Sequence, residues 1–153
     1  MATSAIPDGY RSVTPYLIVN GAAAAIEFYK HVFAATEMLR MADAHGRIGH
    51  AEIKIGDSVV MLADEHPQMG YRSPSSLGGS SVSILLYLDD VDDVFARAVK
   101  AGATAQREVA DQFYGDRTGT LRDPFGHVWT VATHVEDVAP EEMQRRAAAA
   151  MKS

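Results

Sequence analysis

The sequence carries the same order of structural elements twice, at an offset of about 69 residues, and this internal repeat restricts the possible folds more than any other feature. In the first half, a short apolar strand at residues 16–19 leads into a helix. Asn20 is expected to cap this helix, because its side-chain oxygen can accept a hydrogen bond from an unpaired backbone N–H. The helix carries apolar residues at helical spacing on one face, namely Ile26, Tyr29, Val32 and Phe33. Three extended runs follow, at residues 37–42, 48–55 and 58–63.

The second half repeats this order. A strand at residues 82–88 leads into a helix that Asp89 or Asp90 is expected to cap, and the acidic run at this point favours a helix start over a calcium loop. The apolar stripe of this helix consists of Val91, Val94, Phe95, Ala98 and Val99. Three extended runs follow, at residues 105–109, 119–122 and 127–133.

The repeat predicts the domain organisation. We expect an α+β fold of two βαβββ modules, residues 13–65 and 82–134, within a single domain of 153 residues. A segment rich in Pro, Gly and Ser, residues 66–81, is expected to be a linker or a lid. Residues 135–153 are expected to form a polar helical tail with Pro140 in its first turn.

Composition excludes several classes of function. The chain has no cysteine, so it has no disulfides and no thiolate ligands. Its formal net charge of −6 argues against nucleic-acid binding, which depends on clustered basic residues. The sequence shows no apolar run long enough to cross a membrane and no basic start followed by an apolar leader. We therefore expect a cytoplasmic protein that binds neither nucleic acid nor membrane.

Strand parity predicts which residues face a ligand. Alternate side chains of a strand point to opposite faces of a sheet, so one face packs on the helix and the other stays open. The side chains expected against the helices are Leu17, Val19, Ala51, Ile53, Ile55, Val82, Ile84, Leu86, Leu88, Trp129 and Val131. Those expected on the open faces are Thr14, Tyr16, Ile18, His50, Glu52, Lys54, Ser83, Leu85, Tyr87, Val128, Thr130, Ala132 and His134. Two such modules side by side would curl their open faces into a cup.

Four segments carry a family resemblance: PYLIVNGAAAAIEFYKHVF, HAEIKIGDSVVMLADE, YGDRTGTLRDPFGHVWTVATH and EDVAPEEMQRR. They resemble the PhnB-like branch of the vicinal oxygen chelate superfamily, which contains glyoxalase I, extradiol dioxygenases, and fosfomycin and bleomycin resistance proteins. The resemblance runs from about Pro15 to Arg146. It implies a glyoxalase/bleomycin-resistance-type cup, and a homodimer whose cups are completed across the subunit interface, sometimes by exchanged modules.

The resemblance also implies where metal ligands would lie. Enzymes of this superfamily usually place His or Glu on the first and last strands of each half. The corresponding positions here are Thr14, Met61, Ser83 and Thr130. A divalent ion prefers imidazole or carboxylate ligands to a neutral hydroxyl or a thioether. We therefore expect no metal and no other cofactor.

His50 and Glu52 are the strongest polar candidates, because they share the open face of one strand with Lys54. They could act as a catalytic base and its partner, since a desolvated carboxylate can work near neutral pH, or belong to a displaced metal site. Alternatively, this face is simply polar and solvated, as in many antiparallel sheets. The side chains predicted to contact a ligand are Tyr16, Lys54, Met61, Ser83, Leu85, Tyr87, Tyr114, Arg117 and Thr130.

Charged residues surround the last predicted hairpin. Arg117 could clamp an anionic ligand, because its planar guanidinium matches a carboxylate or a phosphate. The neighbouring charges of Asp116 with Arg117 and of Arg122 with Asp123 favour structural ion pairs that fix the loops instead. His134 is expected to be exposed at a strand end.

Three functions follow from this reasoning. The first is a metal-free binder of a small organic molecule, in the manner of drug-sequestering bleomycin resistance proteins. The second is a lyase or isomerase of glyoxalase type in which His50 or Glu52 is catalytic, with or without a displaced divalent metal ion. The third is a structural or partner-binding module whose cup is filled by its own side chains. A well-formed pocket of several hundred Å3 would argue against the third function.

Overall fold

The computed structural model describes residues 2–152, and the chain divides into two compact units at residues 80 and 81. Each unit contains one βαβββ module, so the predicted α+β fold of two repeated modules is confirmed. The first unit consists of β1 (Tyr16–Val19), α1 (Ala22–Phe33), β2 (Thr36–Ala42), β3 (Ile48–Ile55), β4 (Ser58–Asp64), a 3-10 turn (Pro67–Met69) and α2 (Pro74–Leu77). The second unit consists of β5 (Ser83–Tyr87), α3 (Val91–Lys100), β6 (Thr104–Asp111), β7 (Asp116–Arg122), β8 (Val128–His134) and α4 (Pro140–Ala150).

The two sheets have the same topology. Their strand orders are β1-β4-β3-β2 and β5-β8-β7-β6. In each sheet the first strand pairs in parallel with the last, and the other neighbours are antiparallel. The β6–β7 hairpin is longer than predicted, because its ladder continues to the pair Asp111 and Arg117. The additional residues at the strand ends are mostly polar, as is usual on a strand with an open face, so apolar periodicity does not predict them.

The starts of α1 and α3 are each held by the last strand of their own module. Asp64 Oδ1 accepts from the backbone N–H groups of Gly21 at 2.9 Å and Ala22 at 2.7 Å. The prediction that Asn20 caps α1 is therefore wrong, because Gly21 takes the cap position with a φ of 104° and Asp64 supplies the acceptor. For α3, the predicted cap is confirmed, since Asp90 Oδ1 accepts from the Asp93 N–H.

Each core lies between one helix and one face of its sheet. In the first module the predicted apolar face of α1 is buried against β1 and β3, and the rings of Tyr29 and Phe33 stack with centroids 5.9 Å apart. In the second module Trp129 and Val131 are buried as predicted. Two expectations are wrong: Val82 is exposed because it precedes β5, and Val99 is exposed at the edge of the helical stripe.

The segments outside the modules are anchored to them. The predicted C-terminal helix is confirmed as α4, where Arg146 donates to the Glu136 carboxylate and to the Phe113 carbonyl. In the predicted linker or lid, hydrogen bonds from Ser73 and Ser76 to Glu65 lower the pKa of Glu65 to about 2. Within residues 2–152, no helix is long and apolar enough to cross a membrane.

Candidate functional site

A hydrogen-bonded chain crosses the open face of the first sheet. His50 Nε2 lies 2.7 Å from Glu52 Oε2, two residues along β3. His50 Nδ1 lies 2.8 Å from the hydroxyl oxygen of Tyr16 on β1, and the two rings are 5.5 Å apart between centroids. The predicted parity of β1 and β3 is thus confirmed, and it brings three predicted site residues together.

The hydrogen-bonded chain of side chains ends at a buried carboxylate. Glu52 is 6% exposed, and its second oxygen accepts from the hydroxyl of Tyr10. Hydrogen bonds from Tyr10 and His50 lower the pKa of Glu52, against the opposing effect of burial. Tyr10 was missed in the sequence because it lies before β1 in an irregular segment, where no periodicity indicates the direction of a side chain.

The ionised carboxylate sets the proton positions on His50. A carboxylate only accepts hydrogen bonds, so the short contact with Glu52 requires a proton on His50 Nε2. In the neutral imidazole, Nδ1 is then the acceptor, and the Tyr16 hydroxyl donates to it. The arrangement is phenol to imidazole to carboxylate, the same order of roles as in a nucleophile, base and orienting acid.

A cleft of about 460 Å3 lies in the first unit, and Tyr16, His50 and Glu52 are not among its lining residues. One wall is apolar, and its residues are Met41, Ile48, Ala63, Met69 and Tyr71. Met41 pairs directly with His50 across the β2–β3 ladder, so their side chains share the open face. Because Met41 also lines the cleft, the cleft adjoins the hydrogen-bonded chain.

Tyr71 connects the linker segment to the same place. It lines the cleft and pairs with His66 in an isolated bridge that folds the segment back on itself. Burial, the Tyr71 phenol and the Glu52 carboxylate raise the pKa of Tyr16. Tyr16 therefore keeps its proton at neutral pH. Of the other predicted residues, Met61 pairs with both Tyr16 and Glu52, and Lys54 continues the same face of β3.

The second module holds a different network. The buried carboxylate of Asp116 accepts from the Tyr87 hydroxyl at 2.7 Å and lies 2.7 Å from His134 Nδ1. His134 Nε2 lies 2.7 Å from Asp137. Both ring nitrogens of His134 face carboxylates, so the protonated side chain donates from both, and these hydrogen bonds raise its pKa. His134 is exposed, as predicted, but it has no acceptor nitrogen left.

The remaining predicted ligand contacts of the second module are dispersed. Ser83 and Leu85 are exposed on β5, and Thr130 shares a hydrogen bond of 2.9 Å with Thr120. Tyr114 packs edge-on against Phe113 in the β6–β7 turn. Their predicted role in contacting a ligand stays a prediction.

The charged residues of the last hairpin are structural. Arg117 donates to both oxygens of Asp92 at 2.9 Å and to Asp111 at 3.1 Å. Arg117 therefore forms a structural ion pair, as predicted, but with Asp92 and Asp111 instead of Asp116. The expected pairing of Asp123 with Arg122 is replaced. Asp123 instead accepts from the N–H groups of the following turn and from the indole of Trp129, because a buried turn needs its backbone donors satisfied.

The positions at which the resemblance implies metal ligands do not fit a divalent ion. Thr14 and Ser83 offer neutral hydroxyls, Met61 a thioether, and Thr130 a hydroxyl already bonded to Thr120. Among residues 2–152, no group of three or more His, Cys, Asp or Glu side chains is placed to hold a metal ion. Both ring nitrogens of His50 are also engaged.

We expect His134→Gln to destabilise the second module more at low pH than at high pH. Hydrogen bonds to Asp116 and Asp137 raise the pKa of His134. The stabilisation is complete below the pKa of an unfolded histidine, about 6.5, and is lost as pH rises through the raised value. Urea unfolding followed by Trp129 fluorescence, at about pH 5.5 and about pH 9.5, measures the difference. An equal loss at both pH values would contradict this assignment, and His45→Gln serves as the exposed control.

Comparisons with known proteins agree with this architecture. The sequence model of the Glyoxalase/Bleomycin resistance protein/Dioxygenase superfamily matches residues 11–131. An uncharacterised protein of Mycobacterium tuberculosis is 44% identical over 136 residues, which cover 87% of this chain and 80% of that protein. A protein of Pseudomonas aeruginosa has a TM-score of 0.67 at 25% identity, covering 82% of this chain and 99% of that one. The PhnB protein of Bacillus cereus shares the fold, with a TM-score of 0.63 at 17% identity over 80% of this chain and 99% of that one.

Proposed function

The chain belongs to the Glyoxalase/Bleomycin resistance protein/Dioxygenase superfamily, and we propose that it binds a small organic molecule in the cleft of its first module without a metal ion. The observation that carries this proposal is the cleft of about 460 Å3 beside the chain of Tyr16, His50 and Glu52. Small-molecule sites typically occupy about 300–1,000 Å3, with apolar walls and a few polar groups. A cleft of this size disfavours the alternative of a module filled by its own side chains.

The walls of the cleft suit a flat apolar ligand. Met41 and Met69 are flexible and polarisable, so they adapt to the shape of a ring, and Tyr71 offers an aromatic surface. The three carboxylates that line the cleft are occupied by the protein itself: Asp64 holds the start of α1, Glu65 holds Ser73 and Ser76, and Asp43 accepts from the backbone N–H groups of His45 and Arg47. Arg47 brings a guanidinium group to the cleft, where it donates to the Glu65 carbonyl, and its remaining N–H donors favour a ligand that carries an acidic group.

The proposal predicts saturable binding of the dye anilinonaphthalene sulfonate, which combines flat rings with an anionic group. Tyr71→Ala and Met69→Ala should each weaken dye binding about fivefold or more, because each removes apolar contact from the wall. Fluorescence titration measures the affinity. Met151→Ala, an exposed methionine at the far end of α4, is the matched control and should leave it unchanged.

Either of two results would contradict the site. One is the absence of saturable binding, and the other is an equal affinity in the wild type and in both cleft variants. Tyr114→Ala adds a further arm, because Tyr114 is a predicted ligand contact in the second module. If Tyr114→Ala weakens dye binding as much as Tyr71→Ala does, then the cleft of the first module is not the whole binding site.

We also propose that the protein is a cytoplasmic homodimer of the PhnB-like branch. The four segments quoted above support the branch. Leu85 and Tyr87 support an interface, because both are large apolar side chains exposed on the second sheet. Light scattering coupled to gel filtration tests the dimer, and a monomer mass at micromolar concentration would exclude it.

A further inference from the structure

We propose that Tyr16, His50 and Glu52 form a metal-free proton relay, which exchanges a proton with a small carbon acid bound in the adjoining cleft. The two ends of the chain differ in the way such a relay requires. Tyr16 is 48% exposed and open to a ligand, whereas Glu52 is 6% exposed and closed off by the Tyr10 hydroxyl. His50 lies between them at hydrogen-bond distance from both. The proposal adds a reaction to the binding function and rests on the same cleft.

The proton transfer balances within these groups. The Tyr16 oxygen takes a proton from a ligand C–H next to a carbonyl, while the proton of Tyr16 passes to His50 Nδ1. The electron pair of the C–H bond stays on the ligand as an enolate, and His50 becomes an imidazolium. Returning the proton to the same carbon or to a neighbouring atom restores the relay. No oxidant, reductant or metal ion is needed.

Glu52 stabilises the charged intermediate without touching the ligand. Its carboxylate already lies 2.7 Å from His50 Nε2, so the imidazolium forms beside an existing negative charge. The Tyr10 hydroxyl holds the other oxygen of Glu52 and fixes its orientation. Tyr16 is thus the catalytic residue, His50 the proton acceptor, and Glu52 and Tyr10 are positioning residues.

The second module supplies an internal comparison. His134 also belongs to a network of a tyrosine and carboxylates, but each of its ring nitrogens donates to a carboxylate. An imidazolium held on both sides has no lone pair with which to accept a proton. His134 therefore cannot act as the base, and its glutamine variant is the matched control for His50→Gln.

The probe for the relay is a nitrobenzisoxazole, a flat molecule whose ring opens when a base removes its ring C–H proton. The N–O bond breaks as the nitrile forms, and the released nitrophenolate is coloured. We expect saturable acceleration by the wild type, with kcat lowered about a hundredfold by Tyr16→Phe and by His50→Gln. His134→Gln should keep the wild-type rate.

Glu52→Gln distinguishes positioning from a structural role. The ionisable groups that face His50 are Tyr16 and Glu52, with Tyr10 behind the carboxylate and Lys54 further along β3. Loss of the carboxylate removes the charge beside the imidazolium, so kcat for ring opening should fall about tenfold while dye affinity stays at the wild-type value, and Glu52→Asp should recover part of the rate. A merely structural role would lower dye affinity along with the rate.

Dye binding separates the two proposals. A His50→Gln variant that still binds anilinonaphthalene sulfonate but no longer catalyses the ring opening supports both the relay and the cleft. Equal rates of ring opening in the wild type and in His50→Gln, with dye binding intact, overturn the relay and leave the binding function. A wild type that gives no rate above His50→Gln overturns it as well. If the wild type does not bind the dye saturably, the binding function itself is overturned.

Discussion

Replacing Asp64 by alanine should lower the free energy of unfolding of the first module by about 3 kcal/mol. Its Oδ1 accepts from Gly21 and Ala22 at 2.9 and 2.7 Å, and its Oδ2 accepts from Ile48 at 2.8 Å. Hydrogen bonds to a charged acceptor contribute about 1.5–3 kcal/mol each, and partial solvation of the three donors reduces their sum. The negative charge also interacts favourably with the N-terminus of α1.

Urea unfolding followed by far-ultraviolet circular dichroism measures this loss. Asp57→Ala is the matched control, since Asp57 lies exposed in the β3–β4 turn and should change stability by less than about 0.5 kcal/mol. Asp64→Asn should fall between the two, because an amide keeps one acceptor oxygen and loses the charge. An Asp64→Ala variant as stable as Asp57→Ala would refute the role of Asp64 as the clamp of this module.

Asp64 also shows how far the internal repeat predicts the fold. At the same offset of about 69 residues, its counterpart is Thr133, and the counterpart of Ala22 is Val91. Thr133 Oγ1 accepts from the Val91 N–H, so the last strand clamps the helix start in both modules. The repeat predicted the elements because apolar periodicity is local. It missed the clamp because a cap supplied from a distant strand leaves no local signal beside Asn20.

The candidate site was predictable in part for the same reason. Parity along β3 is enough to place His50 and Glu52 on one face, and parity along β1 adds Tyr16. The partners that complete the site come from irregular segments. Tyr10 lies before β1 and Tyr71 lies in the linker, and neither position carries a periodic pattern that would indicate its contacts.

The two modules have diverged in their chemistry while keeping one fold. In the first, a carboxylate orients a neutral histidine toward a tyrosine, which leaves a proton acceptor near the cleft. In the second, two carboxylates hold His134 as a cation that fixes the chain after β8. The ladder registers place Thr120, opposite Thr130, at the position of Glu52, opposite Met61, and therefore Thr118 at the position of His50. A threonine hydroxyl is neither an imidazole nor a carboxylate, so the second module has no counterpart of this pair.

Replacing Asp123 by alanine should lower the free energy of unfolding of the second module by about 4 kcal/mol. Asp123 is 3% exposed, and its Oδ1 accepts from the N–H groups of Phe125 and His127 at 2.9 and 3.0 Å. Its Oδ2 accepts from the indole N–H of Trp129 at 2.9 Å. Trp129 is fully buried, so alanine leaves its N–H without a partner in the core, which costs about 1–3 kcal/mol by itself. Release of the two turn donors accounts for the remainder.

Trp129 reports directly on this change, because it is the single tryptophan of the chain. Urea unfolding followed by its fluorescence should show a lower midpoint for Asp123→Ala, whereas Asp89→Ala, an exposed aspartate before α3, should match the wild type. A double-mutant cycle with Trp129→Phe, followed by circular dichroism, isolates the indole contribution. Asp123→Ala should cost less in the phenylalanine background, since no indole N–H is then left unpaired. An equal cost in both backgrounds would show that the carboxylate acts on the turn alone.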